Sequence, residues 1–319
     1  MNRKIIPTLS HPFMNGLKEL PLDKEEDLKE IRLWMDGEPH LPYISDDYIY
    51  LFLHACYYQH EKTKNAIETY FTIRANTPSI FGDRNVYSDS MEFTSKLASL
   101  FKFPKKTPDG YTVMMYLVNE RESTEYIFSD ALKGFSMFND CIISEDGLAK
   151  GYIVIFDMKN AKFGHLTRIT LPALRAFMAY IQDGHPARLK AIHVINTAAF
   201  IKQIMRLVTP MIRTELMGLV KFHRGSIPEG IPQEIFPKDF GGEAPSSQEL
   251  SMELFRLRDK YSKWLLETEY FVADESKRVR KGAAWWSFFT APNQEVPNSS
   301  SNNNIELKDQ NAFRQLEID

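Results

Sequence analysis

The feature that most restricts the fold of this chain is an alternation of short β-rich runs with helical segments from about residue 110 onward. The runs are YTVMMYLV, GYIVIFD, LKAIHVIN and LVKFHRG, beginning at Tyr111, Gly151, Leu189 and Leu219. Segments of helical length and pattern, such as IFSDALKGFSMFNDCII, lie between them. Strands separated by helices of about ten to fifteen residues are typical of a largely parallel sheet covered by helices. The alternation therefore predicts an α/β fold.

The first ninety residues show helical patterns only. DKEEDLKEIRLWMDG begins with acids and ends at Gly37, as the helix dipole and capping rules favour. DYIYLFLHACYY is apolar almost all round, which predicts a buried helix. A further strong helical pattern covers residues 246–271. We predict a helical module at 1–90, an α/β domain at 91–246, and a C-terminal helix with a partly flexible tail at 247–319.

The composition limits which classes of partner the chain is expected to bind. The 319 residues are 43% hydrophobic, enough for one substantial core and a smaller module, and the net charge is only −3. So small a net charge gives no overall attraction to nucleic acid or to anionic lipid, and no nucleic-acid partner is predicted. Cys56 and Cys141 lie far apart in apolar runs, so buried free thiols are favoured over a disulfide.

Targeting signals give the predicted location. The amino-terminal MNRKIIPTLSHPF lacks the apolar core of a secretory signal, and no stretch approaches the ~20 apolar residues of a membrane span. We therefore expect a soluble, cytoplasmic protein.

An enzyme is the first alternative class. The sequence contains no GxSxG, GxxxxGK[ST], GxGxxG, HExxH or CxxC motif, and its eight histidines are not clustered at ligand spacing. We predict no catalytic residue, no cofactor and no metal site. His193 is expected to be a buried structural residue, and Asp157 to accept backbone donors at a strand end.

The segment TAAFIKQIMRLVTPMI, residues 197–212, is strongly amphipathic. Its apolar stripe consists of Ile201, Ile204, Met205, Val208 and Ile212, and the opposite face carries Lys202, Gln203 and Arg206. A helix with one apolar and one charged face can be a movable cover for an apolar cavity. From the pattern alone, an ordinary surface helix packed on a core is favoured.

Four stretches occur together in a recognisable order. They are LFLHACYYQHEKTKNAIETYFTIR, GYIVIFDM with Asp157 at its strand end, PARLKAIHVIN ending at Asn196, and FPKDFGG with Pro237, Asp239, Gly241 and Gly242. In this order they resemble the CRAL-TRIO family, which includes Sec14-like proteins, the α-tocopherol transfer protein and the cellular retinaldehyde-binding protein. The closing NAFRQLEID is similar to an ending common among insect members. The chain is thus most similar to the insect tocopherol-transfer-like and retinaldehyde-binding-like branch.

The resemblance implies both fold and function. It implies an amino-terminal helical module and a mixed, mostly parallel sheet that floors an apolar pocket closed by a mobile helix. It also implies binding and transfer of a lipid without chemical change, with residues 197–212 as the gate. Exposing four or five aliphatic side chains to water costs ~1.5–3 kcal/mol each, so we expect roughly 6–15 kcal/mol for full opening. A membrane surface accepts the same apolar face, so transient membrane association is expected to open the gate.

The resemblance also implies which side chains contact the ligand, although about half of them are expected to be plain core. Tyr152, Ser136 and Tyr180 are the polar candidates, because an apolar cargo needs only one or two groups to orient a hydroxyl or carbonyl. The candidates are Phe135, Ser136, Phe138, Tyr152, Ile153, Ile155, Ile169, Phe177, Tyr180, Ile181, Ile201, Ile204, Leu207, Val208 and Ile212.

Arg188 and Lys190 match two basic positions of the phosphoinositide-binding members. As paired cations they are able to hold a phosphate, and a solvated strand edge explains them equally well. Other basic positions of those members are replaced here, which puts phosphoinositide-driven release in doubt. The replacements are Leu51, His54, Cys56, Glu215 and Leu219.

The tail carries RVRKGAAWWSFF, with Arg278, Arg280, Lys281, Trp285 and Trp286. Aromatic residues beside cations are typical of an interfacial membrane anchor. Packing of the tryptophans against the domain is the favoured alternative.

The cargo is the least determined feature. Branched aliphatic and aromatic residues with few cations favour a neutral isoprenoid over a phospholipid, so α-tocopherol (vitamin E) is the first choice and a retinoid the second. A carotenoid, a phosphoinositide such as phosphatidylinositol bisphosphate, or a phosphoinositide-sensing signalling scaffold remain alternatives. A Leu207→Asp change is expected to weaken cargo retention.

Overall fold

The computed structural model describes residues 9–11, 22–120, 123–197 and 201–279. Its strands are β1 (Ala98–Lys102), β2 (Thr112–Val118), β3 (Tyr152–Asp157), β4 (Leu189–Ile195) and β5 (Val220–Phe222). Its α-helices are α1 (Glu25–Asp36), α2 (Asp46–Ala55), α3 (His60–Asn76), α4 (Pro78–Phe81), α5 (Asp89–Leu97), α6 (Phe128–Asp146), α7 (Phe163–Leu166), α8 (Leu171–Ala179), α9 (Ile201–Val208), α10 (Thr214–Met217) and α11 (Ser247–Glu267). A π-helical turn, Tyr180–Gly184, continues α8.

The five strands form one sheet in the order β1-β2-β3-β4-β5. β1 is antiparallel to β2, and the other neighbouring pairs are parallel. This arrangement confirms the predicted mixed, mostly parallel α/β fold. The antiparallel edge strand β1 was not predicted, because its sequence ASLFK follows α5 without a turn signal of its own.

The two faces of the sheet pack against different parts of the chain. Side chains alternate between faces along a strand, so neighbours in sequence have different surroundings. Val113 and Met115 of β2 pack in a core with Phe101, Ile235 and Phe236. Met114, between the two, belongs to the core on the opposite face. β3 has a bulge between Tyr152 and Ile153 where it pairs with β4. The bulge keeps the side chains of the two cores on opposite faces of the sheet.

The FPKDFGG segment closes the first of these faces. Gly241 adopts a φ of +79°, in the region that favours glycine. At Gly242 an added Cβ would lie 2.1 Å from the carbonyl oxygen of Phe236, so only glycine fits this approach. The two glycines therefore allow the chain to turn back over Phe236, which is fully buried.

The amino-terminal helices form a module around α2. Residues 48–53 of α2 are all buried, as predicted. A buried ionic cluster joins this module to α6: Arg74 on α3 donates to Asp140 over 2.8 Å, and Arg84 donates to the same carboxylate over 2.5 Å. Because opening this cluster would leave charges unpaired in the interior, it holds the module firmly on the sheet domain. The predicted domain boundaries stay predictions.

Some of the remaining predictions concern residues that the structure describes, and others concern residues outside the described ranges. Cys141 is a buried free thiol and Cys56 a half-buried one. Among the helices of the described ranges, none combines the length and apolar character needed to cross a bilayer. The aromatic patch around Trp285 and Trp286 and the closing NAFRQLEID lie outside the described residues.

Candidate functional site, a two-lobed apolar chamber

An apolar chamber lies on the sheet face opposite the FPKDFGG segment. β2, β3 and β4 form its floor, α6 and α8 form its walls, and α9 with the residues after it forms its roof. The chamber has two lobes. The inner lobe lies where β3 and β4 begin, and the outer lobe lies at their carboxyl ends under α9.

The inner lobe has a volume of about 80 Å³. Its lining is almost entirely apolar, with Asn139, Tyr152 and His185 as the polar exceptions. The lining residues are Met114, Phe135, Asn139, Tyr152, Val154, Phe156, Phe177, Met178, Ile181, His185, Ala187, Leu189, Ile192, Ile212 and Leu216.

The outer lobe has a volume of about 230 Å³. Ile204 and Val208 of α9 line it, so the apolar stripe of the amphipathic helix faces the chamber. The lining residues are Tyr116, Val118, Tyr126, Phe128, Ala131, Leu132, Phe135, Phe156, Asp157, Met158, Ala161, His165, Leu166, Ile169, Leu174, Phe177, Met178, Ile204 and Val208.

Four side chains, Phe135, Phe156, Phe177 and Met178, line both lobes and form the waist between them. The Phe135 ring is edge-on to Phe177 with centroids 5.6 Å apart, and it stacks on Phe156 at 6.0 Å. These are the separations that aromatic pairs prefer. The waist is therefore a packed aromatic cluster, and an elongated guest must displace or thread past it to fill both lobes.

α9 is closed over the outer lobe. Ile201 and Met205 are buried against Val194, Met217 and Val220 of the β4–β5 region. Lys202, Gln203 and Arg206 are exposed on the opposite face, as predicted. Two buried and two half-buried side chains give roughly 5–9 kcal/mol for exposing this face to water. The helix therefore stays closed unless another apolar surface receives it.

Both ends of the roof segment are tied to the body of the domain. At the start, Asn196 has a φ of +49°, and its amide donates to Asp157 over 2.8 Å. At the far end, the Gln182 amide donates to the Met211 carbonyl over 2.9 Å and accepts from the Arg213 backbone N–H over 2.6 Å. Arg213 also forms an ion pair with Asp183. We call the second set, Gln182, Asp183 and Arg213, the latch.

A third cavity of about 660 Å³, open to solvent, adjoins the inner lobe and shares Ile181, His185, Ala187, Leu189 and Leu216 with it. We call it the outer groove. Tyr57 lines it, and both predicted basic residues converge on this side chain. The Arg188 guanidinium lies 4.2 Å from the ring centroid, and the Lys190 ammonium donates to the hydroxyl over 2.7 Å. Arg188 also donates to the His54 carbonyl over 2.7 Å. Both cations are thus half-buried and engaged at the rim of the groove.

The polar atoms of the inner lobe are incompletely paired. The His185 Nε2 is buried without a hydrogen-bond partner among the described residues, and the Tyr152 hydroxyl has only an acceptor beside it, the Asp146 carboxylate. Burial raises the pKa of Tyr152 well above its usual value, with Asp146 adding to the effect. Burial lowers the pKa of His185 to about 4, so its ring is neutral at physiological pH. The Asn139 amide donates to the Phe135 carbonyl over 2.8 Å.

The structure brings about half of the predicted contact residues together around the chamber; their role in binding stays a prediction. Those that line a lobe are Phe135, Tyr152, Ile169, Phe177, Ile181, Ile204, Val208 and Ile212. Those that line neither lobe are Ser136, Phe138, Ile153, Ile155, Tyr180, Ile201 and Leu207.

The predicted contact residues that line neither lobe lie in other parts of the structure. Ile153 and Ile155 point to the opposite sheet face and pack in the core with Phe236. Ser136 donates to the Lys133 carbonyl over 2.9 Å, and the Tyr180 ring packs against Phe81 at 4.8 Å in the helical module. Of the remainder, Phe138 lines a groove under α11, Ile201 is buried against β4 and β5, and Leu207 is half-buried.

The sequence interpretation missed several residues on the chamber floor. Met114, Tyr116, Val154 and Phe156 share a sheet face with Tyr152. The period of two along a strand was a usable signal, because the choice of Tyr152 excludes Ile153 and Ile155 from the same face. His185 had no comparable signal, since it lies in a loop between the π-turn and β4.

The two residues weighed as catalytic have partners that account for them. His193 is 3% exposed, and its Nδ1 lies 2.9 Å from Nε2 of His223. Asp157 accepts from the Lys159 backbone N–H over 2.9 Å and from Asn196. Asp157 therefore does accept a backbone donor at its strand end.

Two known protein families match two different parts of the chain. Residues 100–242 match the model of the CRAL/TRIO domain, and residues 20–91 match that of the Pinta-like UBA domain. Clavesin-2 of Homo sapiens is 24% identical over 243 residues, covering 72% of each chain. An alpha-tocopherol transfer protein-like protein of Homo sapiens is 22% identical over 234 residues, covering 72% of this chain and 68% of the relative. The crystal structure of Sfh5 superposes with a TM-score of 0.43 at 10% identity, covering 65% of this chain and 82% of that one.

The fold and the roofed apolar chamber define a class of protein that encloses an apolar guest. Within this class, residues 100–242 form a domain of the CRAL-TRIO, Sec14-like family. Membership of this family supports lipid binding and transfer in general.

Proposed function

We propose that this protein carries one neutral isoprenoid lipid, α-tocopherol first among the candidates, and exchanges it at membranes without changing it chemically. The observation that carries the proposal is the position of α9, whose Ile204 and Val208 form part of the chamber wall. A helix that is both roof and lining has to move when cargo enters or leaves.

The chamber volumes support a cargo that spans both lobes. Typical ligand pockets measure roughly 300–1,000 Å³, and each lobe alone is smaller than that. A carrier-sized lipid therefore requires both lobes together, with the waist and α9 displaced. In the proposed mechanism, α9 and the aromatic waist are therefore displaced together when the lipid binds.

The charge of the lining supports a neutral cargo. Among the described residues, neither lobe is lined by a lysine or an arginine. A buried phosphate or carboxylate without a cation would incur a large desolvation cost. The aromatic waist also suits a conjugated polyene, so a retinoid or a carotenoid is the second candidate.

The membrane step follows from the surface of α9. Its outward face carries Lys202, Gln203 and Arg206, and its inward face carries the apolar stripe. A helix of this kind rotates its apolar face into the headgroup region while its cations contact the lipid surface. Transient membrane association of a cytoplasmic protein is therefore part of the proposal.

A phosphoinositide role at the groove rim is a separate proposal with weaker support. Arg188 and Lys190 contact Tyr57, which lines the outer groove with Lys62 and Arg213. Glu61, Asp183 and Glu215 line the same groove. The mixed charge gives little net attraction for a phosphate. Vesicle binding that rises at least about tenfold with phosphatidylinositol bisphosphate, and falls on Arg188→Ala, would establish this role.

The test of cargo carriage is direct. The purified chain is extracted with organic solvent and examined by native mass spectrometry, and transfer of α-tocopherol between donor and acceptor vesicles is measured. We expect one bound neutral lipid per chain and transfer faster than in protein-free vesicles. Recovery of a phospholipid, or an empty chain that accelerates no transfer, would contradict the proposal.

A further inference from the structure

The inner lobe ends in two polar side chains that the apolar lining does not explain. Tyr152 is 3% exposed, and its hydroxyl lies beside the Asp146 carboxylate, which can accept its hydrogen bond but leaves the phenol oxygen without a donor; His185 Nε2 is buried without a hydrogen-bond partner among the described residues. Buried polar groups are almost always paired, and an unpaired one calls for an explanation such as an absent ligand. Both side chains line the same lobe.

Backbone contacts hold these two side chains at the same end of the chamber. The Tyr152 N–H donates to the Arg188 carbonyl over 2.8 Å, where β3 and β4 begin. His185 lies three residues before Arg188, and its own N–H donates to the Tyr180 carbonyl over 2.7 Å. The ring therefore belongs to a fixed turn beside the start of β3.

We propose that Tyr152 and His185 form the head-group subsite of the chamber and bind a neutral hydroxyl group of the cargo. The assignment rests on the proposed carrier function and specifies which end of the lipid occupies the inner lobe. A hydroxyl both donates and accepts, so it pairs with the Tyr152 phenol and with either tautomer of the His185 ring. The apolar body then extends past the aromatic waist to α9.

The surroundings of the subsite disfavour an acid. The Asp146 carboxylate is both a negative neighbour and a hydrogen-bond acceptor for Tyr152, and it is itself held by Lys102 at 2.7 Å and Thr112 at 2.9 Å. A second carboxylate placed beside the tyrosine would face this negative charge without a cation of its own. Burial keeps the His185 ring neutral, so it adds no compensating charge.

Two retinoids with the same hydrocarbon and different head groups test the subsite: retinol and retinoic acid, titrated by fluorescence quenching. We expect wild-type protein to bind retinol at least about tenfold more tightly than retinoic acid. Tyr152→Phe and His185→Phe are each expected to weaken retinol binding by about five- to tenfold, because each leaves the hydroxyl one partner short. Binding of retinoic acid is expected to change by less than about twofold.

The control is Tyr48→Phe, which removes a buried hydroxyl that donates to Tyr70 over 2.6 Å in the helical module, outside both lobes. Its retinol affinity is expected to match wild type within about twofold, and thermal melting checks that all three variants fold. Equal affinity of wild type for the two retinoids, or unchanged retinol binding by Tyr152→Phe and His185→Phe, overturns the subsite while carriage stands. A protein that binds neither retinoid and yields no neutral lipid on extraction overturns both proposals.

Discussion

The side-chain amide of Asn196 donates to the Asp157 carboxylate over 2.8 Å and joins the carboxyl ends of β3 and β4. Asn196 also adopts a φ of +49°, which asparagine tolerates better than most residues. Both properties concern the residue immediately before the roof segment. The pair therefore anchors the start of the roof segment, which is the fixed side of the hinge in the proposed carrier mechanism.

Two substitutions at Asn196 separate the hydrogen bond from the backbone conformation. Asn196→Gly keeps the positive φ and loses the bond to a charged partner, so we expect about 1.5–3 kcal/mol of lost stability. Asn196→Ala adds the strain of a left-handed alanine, for about 1 kcal/mol more. Urea unfolding measures both variants. A glycine variant as stable as wild type would show that the Asp157 contact contributes nothing.

Gate polarity gives a second prediction that compares neighbouring positions on α9. Ile204 lines the outer lobe, and Leu207 does not. Ile204→Asp is therefore expected to speed cargo release by at least about tenfold, and Leu207→Asp by considerably less. Gln203→Asn, on the exposed face, is the control; it keeps the charge of that face and is expected to leave release unchanged. Release is followed by transfer to acceptor vesicles, and an equal effect at all three positions would contradict the lining of the outer lobe by α9.

A third prediction compares two valines on opposite faces of the sheet. Val154 of β3 lines the inner lobe, whereas Val113 of β2 is completely buried in the opposite core. Val154→Phe has empty space to fill, so we expect a stability change below about 1 kcal/mol and reduced cargo occupancy. Val113→Phe overpacks a filled core and is expected to cost about 1–3 kcal/mol. Urea unfolding curves measure the stability of the two variants, and lipid extraction measures their cargo occupancy. Equal destabilisation by Val154→Phe and Val113→Phe would mean that the chamber is not a cavity in solution.

The latch gives a fourth prediction. The side chain of Arg213 is 55% exposed and that of Asp183 23% exposed, so their ion pair is worth at most about 1 kcal/mol. Arg213→Ala is therefore expected to speed cargo exchange by up to about fivefold with little change in overall stability. Gln182→Ala is expected to have a larger effect, since it removes two hydrogen bonds from the roof segment. A double-mutant cycle on transfer rates tests whether the two act together.

The fifth prediction concerns pH. Burial, with the neighbouring His223 adding to it, lowers the pKa of His193 from 6.5 to about 4. Because the folded state holds this histidine neutral, its contribution to stability is complete above about pH 6.5. The contribution declines as the pH falls and is lost below about 4, up to about 3 kcal/mol in total.

Urea unfolding at pH 7 and pH 5 measures this effect. In His193→Gln the loss of stability between the two pH values is expected to be smaller than in wild type. An unchanged difference would show that His193 is not held neutral by burial.

Much of this architecture follows from local sequence pattern. The other helices and the four parallel strands were predicted because apolar periodicity reports directly on which residues a helix or strand buries, whereas the short helices α4, α5, α7 and α10 were not predicted. β1 escaped prediction because ASLFK is short and becomes a strand only by pairing with β2. Ile153 and Ile155 were assigned to the chamber for a related reason: β3 is apolar on both faces, so composition does not distinguish them.

The sequence by itself determined the order of the long helices and of the four parallel strands, the two-faced character of α9, the glycine pair at 241–242 and the family resemblance. Only the tertiary structure decided which strand face backs the chamber, where the aromatic waist divides it, and that His185 and Tyr152 line the same inner lobe. It also decided that Asn196 pairs with Asp157 and that Gln182 holds the far end of the roof. The physical reason is that these contacts join residues distant in the chain, and they depend on strand register and helix packing rather than on local propensity.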